Sequence, residues 1–224
     1  MNSKGHIAEL RKYFEQVAVS EDVLPMETYM KNQFTFLGVK STPRKVIQRD
    51  WFKTLPQTLS GDEVIALSAS LFEEEEREFQ YTAIDLLDKH NKKLKHKHLT
   101  DIEELILSKS WWDTVDALAA KIVGNLLQPH RELWENCTEK WITSENIWLQ
   151  RTALLFQLKY KQETDTKLLS NCIRNLMHDR QFFIQKAIGW SLREYSKTNP
   201  DYVRQLLHDL KIEGLAAREA SKYI

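Results

Sequence analysis

The sequence predicts an all-α protein, an α-solenoid of HEAT-like or armadillo-type helical repeats. No segment of the 224 residues alternates apolar and polar side chains over a sustained stretch, as a half-buried strand would. Helix-start signals recur along the chain, and one helical pattern returns every 35 residues. A constant period of this length with two helices per unit is typical of stacked helical repeats.

The helices are placed by their local start signals, since capping side chains and prolines mark a first turn. Apolar periodicity indicates helices over Ala8–Val17 and Pro25–Phe36, and a longer one over Gln181–Lys197. The remaining predicted starts are Thr42-Pro43 (a helix through Trp51), Ser60-Gly61-Asp62, Thr100 to Glu103 as a capping box, Ser110, Ser144 and Asn199-Pro200.

The repeat relates four positions. Tyr81, Asp116, Arg151 and Lys186 follow one another at 35-residue intervals, and the positions two residues before and after them are mostly apolar. Equivalent positions of successive repeats line one surface of a solenoid. We therefore expect Asp116, Arg151 and Lys186 to form a row on one concave, positive face, with Glu73–Glu76 lying off it.

Composition excludes several classes of function. Lys plus Arg equals Asp plus Glu at 32 each, so net charge does not argue for or against a polyanionic partner. Cys137 and Cys172 have no metal or redox spacing, which suits a reducing cytoplasm. Residues 1–6 lack the apolar core of a signal peptide, and no stretch is apolar for long enough to span a membrane. The sequence also lacks a phosphate-binding glycine loop, a Ser-His-Asp or Cys-His grouping and a zinc motif, so a covalent hydrolase or a metalloenzyme is not expected.

The helix beginning near Ser110 carries more side chains than its structure needs. Ser110 is predicted as the N-cap and Asp113 as its capping-box partner. Trp111 and Val115 begin an apolar stripe that faces the core. Trp112 and Asp116 remain, one turn apart on an adjacent face. They are either site residues or an interface tryptophan with a solvated aspartate.

Two further groups have both a functional and a structural interpretation. Arg151 either grips a phosphate or pairs with Asp116 from the next repeat. Gly189 lies inside a helix, where it costs roughly 1 kcal/mol relative to alanine, so it indicates close helix packing or space for a ligand beside Trp190. Lys186 and Arg193 flank Trp190 at i−4 and i+3, a combination of cations and indole that suits nucleic-acid backbone contact.

At these residues the chain resembles a known family. The segments that carry the likeness are Tyr29 to Asn32, Phe36 to Gly38, Lys109 to Asp116, Asn146 to Arg151 and Phe183 to Trp190. They are similar, in order and spacing, to the AlkD-type DNA alkylation repair glycosylases. The resemblance implies one domain over residues 1–224, a right-handed solenoid curved around duplex DNA, and removal of purines alkylated at N3 or N7 without base flipping.

The resemblance also implies residue roles. Asp116 matches the catalytic aspartate, Trp112 and Trp190 the tryptophans beside the lesion, Arg151 the arginine near the DNA backbone and Tyr29 the tyrosine of the N-terminal helix. An N3- or N7-alkylated purine is already cationic and leaves without a general acid. One carboxylate can then stabilise the oxocarbenium-like sugar and position water.

The expected partner is double-stranded DNA containing alkylated purines, bound by a cytoplasmic, nucleoid-associated monomer that needs no metal, cofactor, membrane or obligate protein partner. Two alternatives stay open at this point. The chain could be a catalytically idle solenoid that binds DNA structures. It could also be a HEAT-type protein-interaction scaffold, in which Trp112, Asp116 and Trp190 only pack or cover the surface.

Overall fold

A computed structural model of the protein describes residues 2–224; Met1, the first residue of the segment compared with signal peptides, lies outside them. Within residues 2–224 the regular structure is helical throughout, which confirms the all-α prediction. None of the helices in this range is long and apolar enough to cross a lipid bilayer.

The helices are numbered in chain order. They are α1 (Ser3–Glu15), α2 (Ser20–Tyr29), α3 (Ser41–Thr54), α4 (Gly61–Glu73), α5 (Arg77–Lys89), α6 (Leu99–Leu107), α7 (Trp112–Ala117), α8 (Gly124–Leu127), α9 (Trp134–Ile142), α10 (Ile147–Leu155), α11 (Thr166–Leu176), α12 (Phe182–Ser196), α13 (Pro200–Asp209) and α14 (Gly214–Ala220). A π-helical turn, Leu118–Val123, joins α7 to α8. Short 3-10 turns lie at Asn91–Lys93, His96–His98, Arg131–Leu133, Lys161–Glu163 and Ser221–Tyr223.

The repeat appears as a register of five helices: α3, α5, α7, α10 and α12. They begin at residues 41, 77, 112, 147 and 182, so the successive intervals are 36, 35, 35 and 35. The fifth residues of the last four are Tyr81, Asp116, Arg151 and Lys186, the positions predicted from the period. The first interval is one residue longer, and therefore the sequence period did not extend to α3.

Two compact units divide the described chain, one ending at Asp101 and the other running from Ile102 to Ile224. In the first unit Leu10, Phe14 and Trp51 are fully buried, and the Trp51 indole donates to the His6 carbonyl at 2.9 Å. The single domain over 1–224 stays a prediction.

The core of the second unit contains several of the tryptophans. Trp134 and Trp141 are buried against Phe156, with ring centroids 5.7 and 6.0 Å away. Both indoles satisfy their N–H groups, Trp134 on the Leu127 carbonyl at 2.7 Å and Trp141 on the buried Glu103 carboxylate at 2.6 Å. A buried indole costs free energy unless its donor is paired, so these contacts account for two of the seven tryptophans as packing residues.

Some of the predicted helix starts are confirmed. Ser60 caps α4 in a reciprocal capping box with Glu63. Asn199 caps α13 by accepting from the Tyr202 amide at 3.0 Å, and Pro200 is the first helical residue. At the end of α12, observed as Phe182–Ser196, the predicted boundary is within one residue.

Other starts are wrong by one to five residues, and the largest errors are at α1 and α2, which begin at Ser3 and Ser20 rather than at Ala8 and Pro25. Helix α3 begins at Ser41, ahead of Thr42, and tolerates Pro43 because first-turn amides have no partner within the helix. Helix α6 has already begun at Leu99, so Thr100 is not its cap, and Glu103 binds Trp141 instead. Asn146, rather than Ser144, caps α10 by accepting from the Trp148 amide at 2.9 Å.

Candidate functional site

The helix that carries Asp116 begins at Trp112, one residue later than a Ser110 cap requires. The Ser110 hydroxyl donates back to the Ile106 carbonyl at 2.7 Å, which leaves it outside the new helix. Trp111 occupies the N-cap position without a side-chain capping bond, so the predicted Ser110–Asp113 capping box is wrong. Asp113 still lies in the first turn, where a negative charge favours the helix dipole.

Core packing orients this helix as the apolar stripe predicts. Val115 and Leu118 are fully buried, whereas Trp112 and Asp116 are only partly buried. Trp111 packs at a seam between repeats, with its ring centroid 5.8 Å from Trp148 and 5.1 Å from Phe183. Trp112 and Asp116 therefore lie on the less buried side of α7, one turn apart.

Asp116 is held by Arg151 from the next repeat. The Arg151 Nε donates to Oδ1 at 2.6 Å and Nη2 donates to Oδ2 at 2.8 Å, a bidentate pair. The remaining terminal nitrogen, Nη1, donates to the Phe183 carbonyl at the start of α12. The Arg151 side chain is 5% exposed and that of Asp116 14% exposed. Arg151 is thus buried and satisfied by protein groups, and of its two interpretations the geometry favours pairing with Asp116.

The protonation of Asp116 reflects two opposing effects. Burial disfavours the charged form and raises the pKa of Asp116 above its ordinary value, while the Arg151 guanidinium lowers it. An arginine is always charged in proteins, so a protonated Asp116 would leave a buried cation uncompensated. The Arg151 guanidinium therefore favours the ionised carboxylate, against the effect of burial.

Lys186 and Arg193, the other predicted DNA-binding cations, meet at Glu219 of α14. Lys186 Nζ donates to Oε1 and Arg193 Nη1 to Oε2, both at 2.8 Å. Lys222 adds a third contact at 2.8 Å. The Glu219 side chain is 11% exposed, and those of Lys186 and Arg193 are 36% and 24% exposed. Three cations around one carboxylate give this cluster of four side chains a net charge of two positive units.

Glu219 was missed by sequence reasoning because α14 lies outside the repeat register. Gly189 was the available signal, since a glycine inside a helix indicates close approach. A Cβ built at Gly189 would lie 2.4 Å from the Glu219 Cβ and 2.8 Å from the Ala216 carbonyl oxygen. The close-packing interpretation of Gly189 is confirmed, and Trp190 beside it is partly buried on α12.

Replacing Gly189 with alanine should therefore destabilise the protein despite the better helix propensity of alanine. The added methyl meets backbone of α14 that cannot move aside, and overpacking of this kind typically costs about 1–3 kcal/mol, more than the roughly 1 kcal/mol gained in propensity. Chemical denaturation of Gly189→Ala and wild type measures the difference. An unchanged or higher free energy of unfolding would contradict the close packing of α12 and α14.

Glu219 should make stability depend on acid. Its hydrogen bonds to Lys186 and Lys222 lower its pKa from 4.5 to about 2. A carboxyl whose pKa is depressed by folding stabilises the native state above the unfolded pKa and loses that contribution as pH falls toward the folded pKa. Glu219→Gln should thus lower the melting temperature at pH 7 and have less effect near pH 2. An equal loss at both pH values would indicate a packing defect instead.

Tyr29 belongs to the first unit, at the end of α2. Its side chain is 67% exposed, and it borders a mainly apolar cavity of about 410 Å³ that also contacts Met30, Phe36 and Tyr81. The Leu37 to Val39 segment is anchored by the buried Glu78 carboxylate, which accepts their three amides at 3.0–3.1 Å. Gly38 has φ +88°, a conformation that favours glycine, so this motif has a structural role.

The predicted site residues thus fall into three groups. Asp116 and Arg151 are in direct contact, with Trp112 one turn away on α7. Lys186 and Arg193 both bind Glu219, and Trp190 lies between these two cations on α12. Tyr29 lies in the first unit. Within Glu73–Glu76, the Glu74 and Glu76 carboxylates bind Arg11 at 2.6 and 2.7 Å. The concave shape of the row stays a prediction. Among residues 2–224 no group of three or more His, Cys, Asp or Glu side chains is arranged to hold a metal ion.

Comparisons with known proteins agree with this architecture. A family model described as "DNA alkylation repair enzyme" matches residues 10–224. A solved structure, a predicted DNA alkylation repair enzyme from Enterococcus faecalis, is 35% identical, covers 92% of this chain and 96% of its own, and superimposes with a TM-score of 0.84. AlkD2 from Streptococcus mutans is 18% identical with a TM-score of 0.66, covering 100% of this chain and 99% of its own, and shares the fold. No curated protein matches the sequence.

Proposed function

Because the chain belongs to the DNA alkylation repair enzyme family, we propose that it is a DNA glycosylase. It hydrolyses the N-glycosidic bond of purines alkylated at N3 or N7 in duplex DNA, without flipping the lesion out of the helix. The observation that supports this most is the Asp116 carboxylate, which two hydrogen bonds from Arg151 hold one helical turn from Trp112.

Asp116 supplies the charge that the reaction needs. An N3- or N7-alkylated purine carries a positive charge, so it departs without protonation and leaves a sugar with oxocarbenium character. An ionised carboxylate offers about four acceptor sites, of which Arg151 occupies two. The remaining lone pairs can face the sugar C1′ and orient the attacking water. Because the carboxylate is fixed before the reaction, no reorganisation is needed in the transition state.

The two tryptophans complement this charge. The face of an indole attracts cations, and Trp112 and Trp190 are both partly buried rather than packed away in the core. In the proposed complex they border the cationic base and sugar. Lys186 and Arg193 retain N–H donors beyond those used by Glu219 and contact phosphate, and Tyr29 meets the DNA from the first unit.

Release of free 7-methylguanine from alkylated duplex DNA tests the proposal. The wild-type protein should release the base under single-turnover conditions, with the protein in excess of the DNA. A chelator should not change the rate, because a cationic leaving group needs no Lewis acid. Duplex binding with a strong salt dependence but no release would instead indicate a non-catalytic DNA-binding solenoid. If the protein neither binds the duplex nor releases the base, the protein-interaction scaffold is the remaining alternative.

A further inference from the structure

The helix register extends to α3, which the sequence period did not reach. The fifth residue of α3 is Lys45, the position that Asp116, Arg151 and Lys186 hold in α7, α10 and α12. The ninth residues of α3 and α12 are Arg49 and Trp190, and the twelfth are Phe52 and Arg193. The first and last register helices therefore each present two cations and one aromatic side chain at the same three positions.

On α3 these positions border an open groove. It has a volume of about 300 Å³ and is lined by α3 and α5 through Lys45, Gln48, Arg49, Phe52, Asp85 and Lys89. The Lys89 ammonium lies 5.7 Å from the centre of the Phe52 ring. Three cations and one carboxylate thus face this groove.

Neighbouring carboxylates are largely engaged by other cations. Asp85 accepts from the buried Arg44 at 2.9 Å. Asp50 binds Lys53 at 2.6 Å, and Arg49 approaches Asp50 only to 3.7 Å while its side chain stays 68% exposed. Lys45 is exposed and has no ion-pair partner within residues 2–224. In contrast to Arg151, the cations of the groove keep their donors for a partner.

We propose that Lys45, Arg49 and Lys89 form a second phosphate-binding site, the α3 stripe, which holds the backbone of double-stranded DNA. The inference rests on the proposed function, in which duplex DNA is the substrate. Exposed cations beside an aromatic ring suit a polyanionic backbone, and these three come from two helices that line one open groove. Such contacts add affinity and register without reading bases.

The salt dependence of binding to undamaged duplex tests the stripe. Each neutralised phosphate contact should reduce the slope of log Kobs against log salt by about 0.9. Single changes Lys45→Gln, Arg49→Gln and Lys89→Gln should each show about this loss, and the triple variant roughly three times as much. Fluorescence anisotropy with a labelled duplex measures the slopes. The charge-conserving pair Lys45→Arg with Arg49→Lys should keep the wild-type slope.

A matched control removes three exposed lysines from helices outside the register: Lys4 and Lys12 on α1 and Lys167 on α11. Its slope should remain within about 0.9 of wild type. Equal losses in stripe and control variants would overturn the stripe, since only general charge would then matter. Unchanged slopes in both, or an equally large effect on a single-stranded oligonucleotide, would also overturn it.

Base release separates this inference from the proposed function. If the wild-type protein binds duplex through the stripe but releases no alkylated base, the glycosylase proposal fails and the stripe stands. If it releases base while the stripe variants keep the wild-type slope, the stripe fails alone. Melting curves of all variants confirm folding, which these exposed side chains should affect little.

Discussion

Asp116→Asn should slow the release of 7-methylguanine from duplex DNA by about 10²–10³. Asparagine keeps the shape of the side chain but removes the negative charge that faces the developing sugar cation. The substitution also leaves the buried Arg151 guanidinium without its counterion. Removing one partner of a buried pair typically costs about 3–5 kcal/mol, so the rate must be measured under single turnover well below the melting temperature of the variant.

Asp113→Asn is the matched control, since it removes a carboxylate from the same helix three residues earlier. Its charge acts on the helix dipole, so the expected result is a stability loss of about 0.3–1 kcal/mol with little change in rate. Duplex affinity of Asp116→Asn should stay level or rise, because a repulsion from phosphate is removed. If Asp113→Asn lost the rate and Asp116→Asn kept it, the two aspartates would have to exchange roles.

Arg151→Gln should lower excision by about 10²-fold, because a misplaced catalytic group typically loses that much. Arg151 acts through Asp116: it holds both carboxylate oxygens and ties them to the start of α12 through the Phe183 carbonyl. The salt slope of duplex binding should remain at the wild-type value, since a guanidinium 5% exposed and satisfied by protein groups has no phosphate contact to lose.

Arg193→Gln serves as the comparison, because Arg193 lies in the more exposed cation group around Glu219. It should reduce the salt slope by about 0.9 and weaken binding to damaged and undamaged duplex alike. The double variant Asp116→Asn with Arg151→Gln should lose less than the sum of the two single effects, as expected for residues that act as a unit. A reduced slope in Arg151→Gln would restore Arg151 as a backbone contact.

The repeat and the helical class could be predicted from local signals. Hydrophobic periodicity and turn residues are properties of short segments, and the 35-residue interval can be counted along the chain. Together they place Tyr81, Asp116, Arg151 and Lys186 correctly in the register. Helix ends were less predictable, because capping groups compete with tertiary partners. Ser110 illustrates this, since its hydroxyl binds the preceding helix at Ile106 instead of capping the next one.

The sequence by itself determined the all-α class, the register, and the placement of Trp112 and Asp116 one turn apart on one helix. Each of these follows from the spacing of residues along the chain. Only the tertiary structure decided what the cations do. Arg151 could face a phosphate or a carboxylate until packing buried it against Asp116. Lys186 and Arg193 bind Glu219, which lies on a helix outside the register. That helix can approach α12 closely because Gly189 has no side chain. Charge partners depend on which surfaces meet, and helix spacing does not specify that.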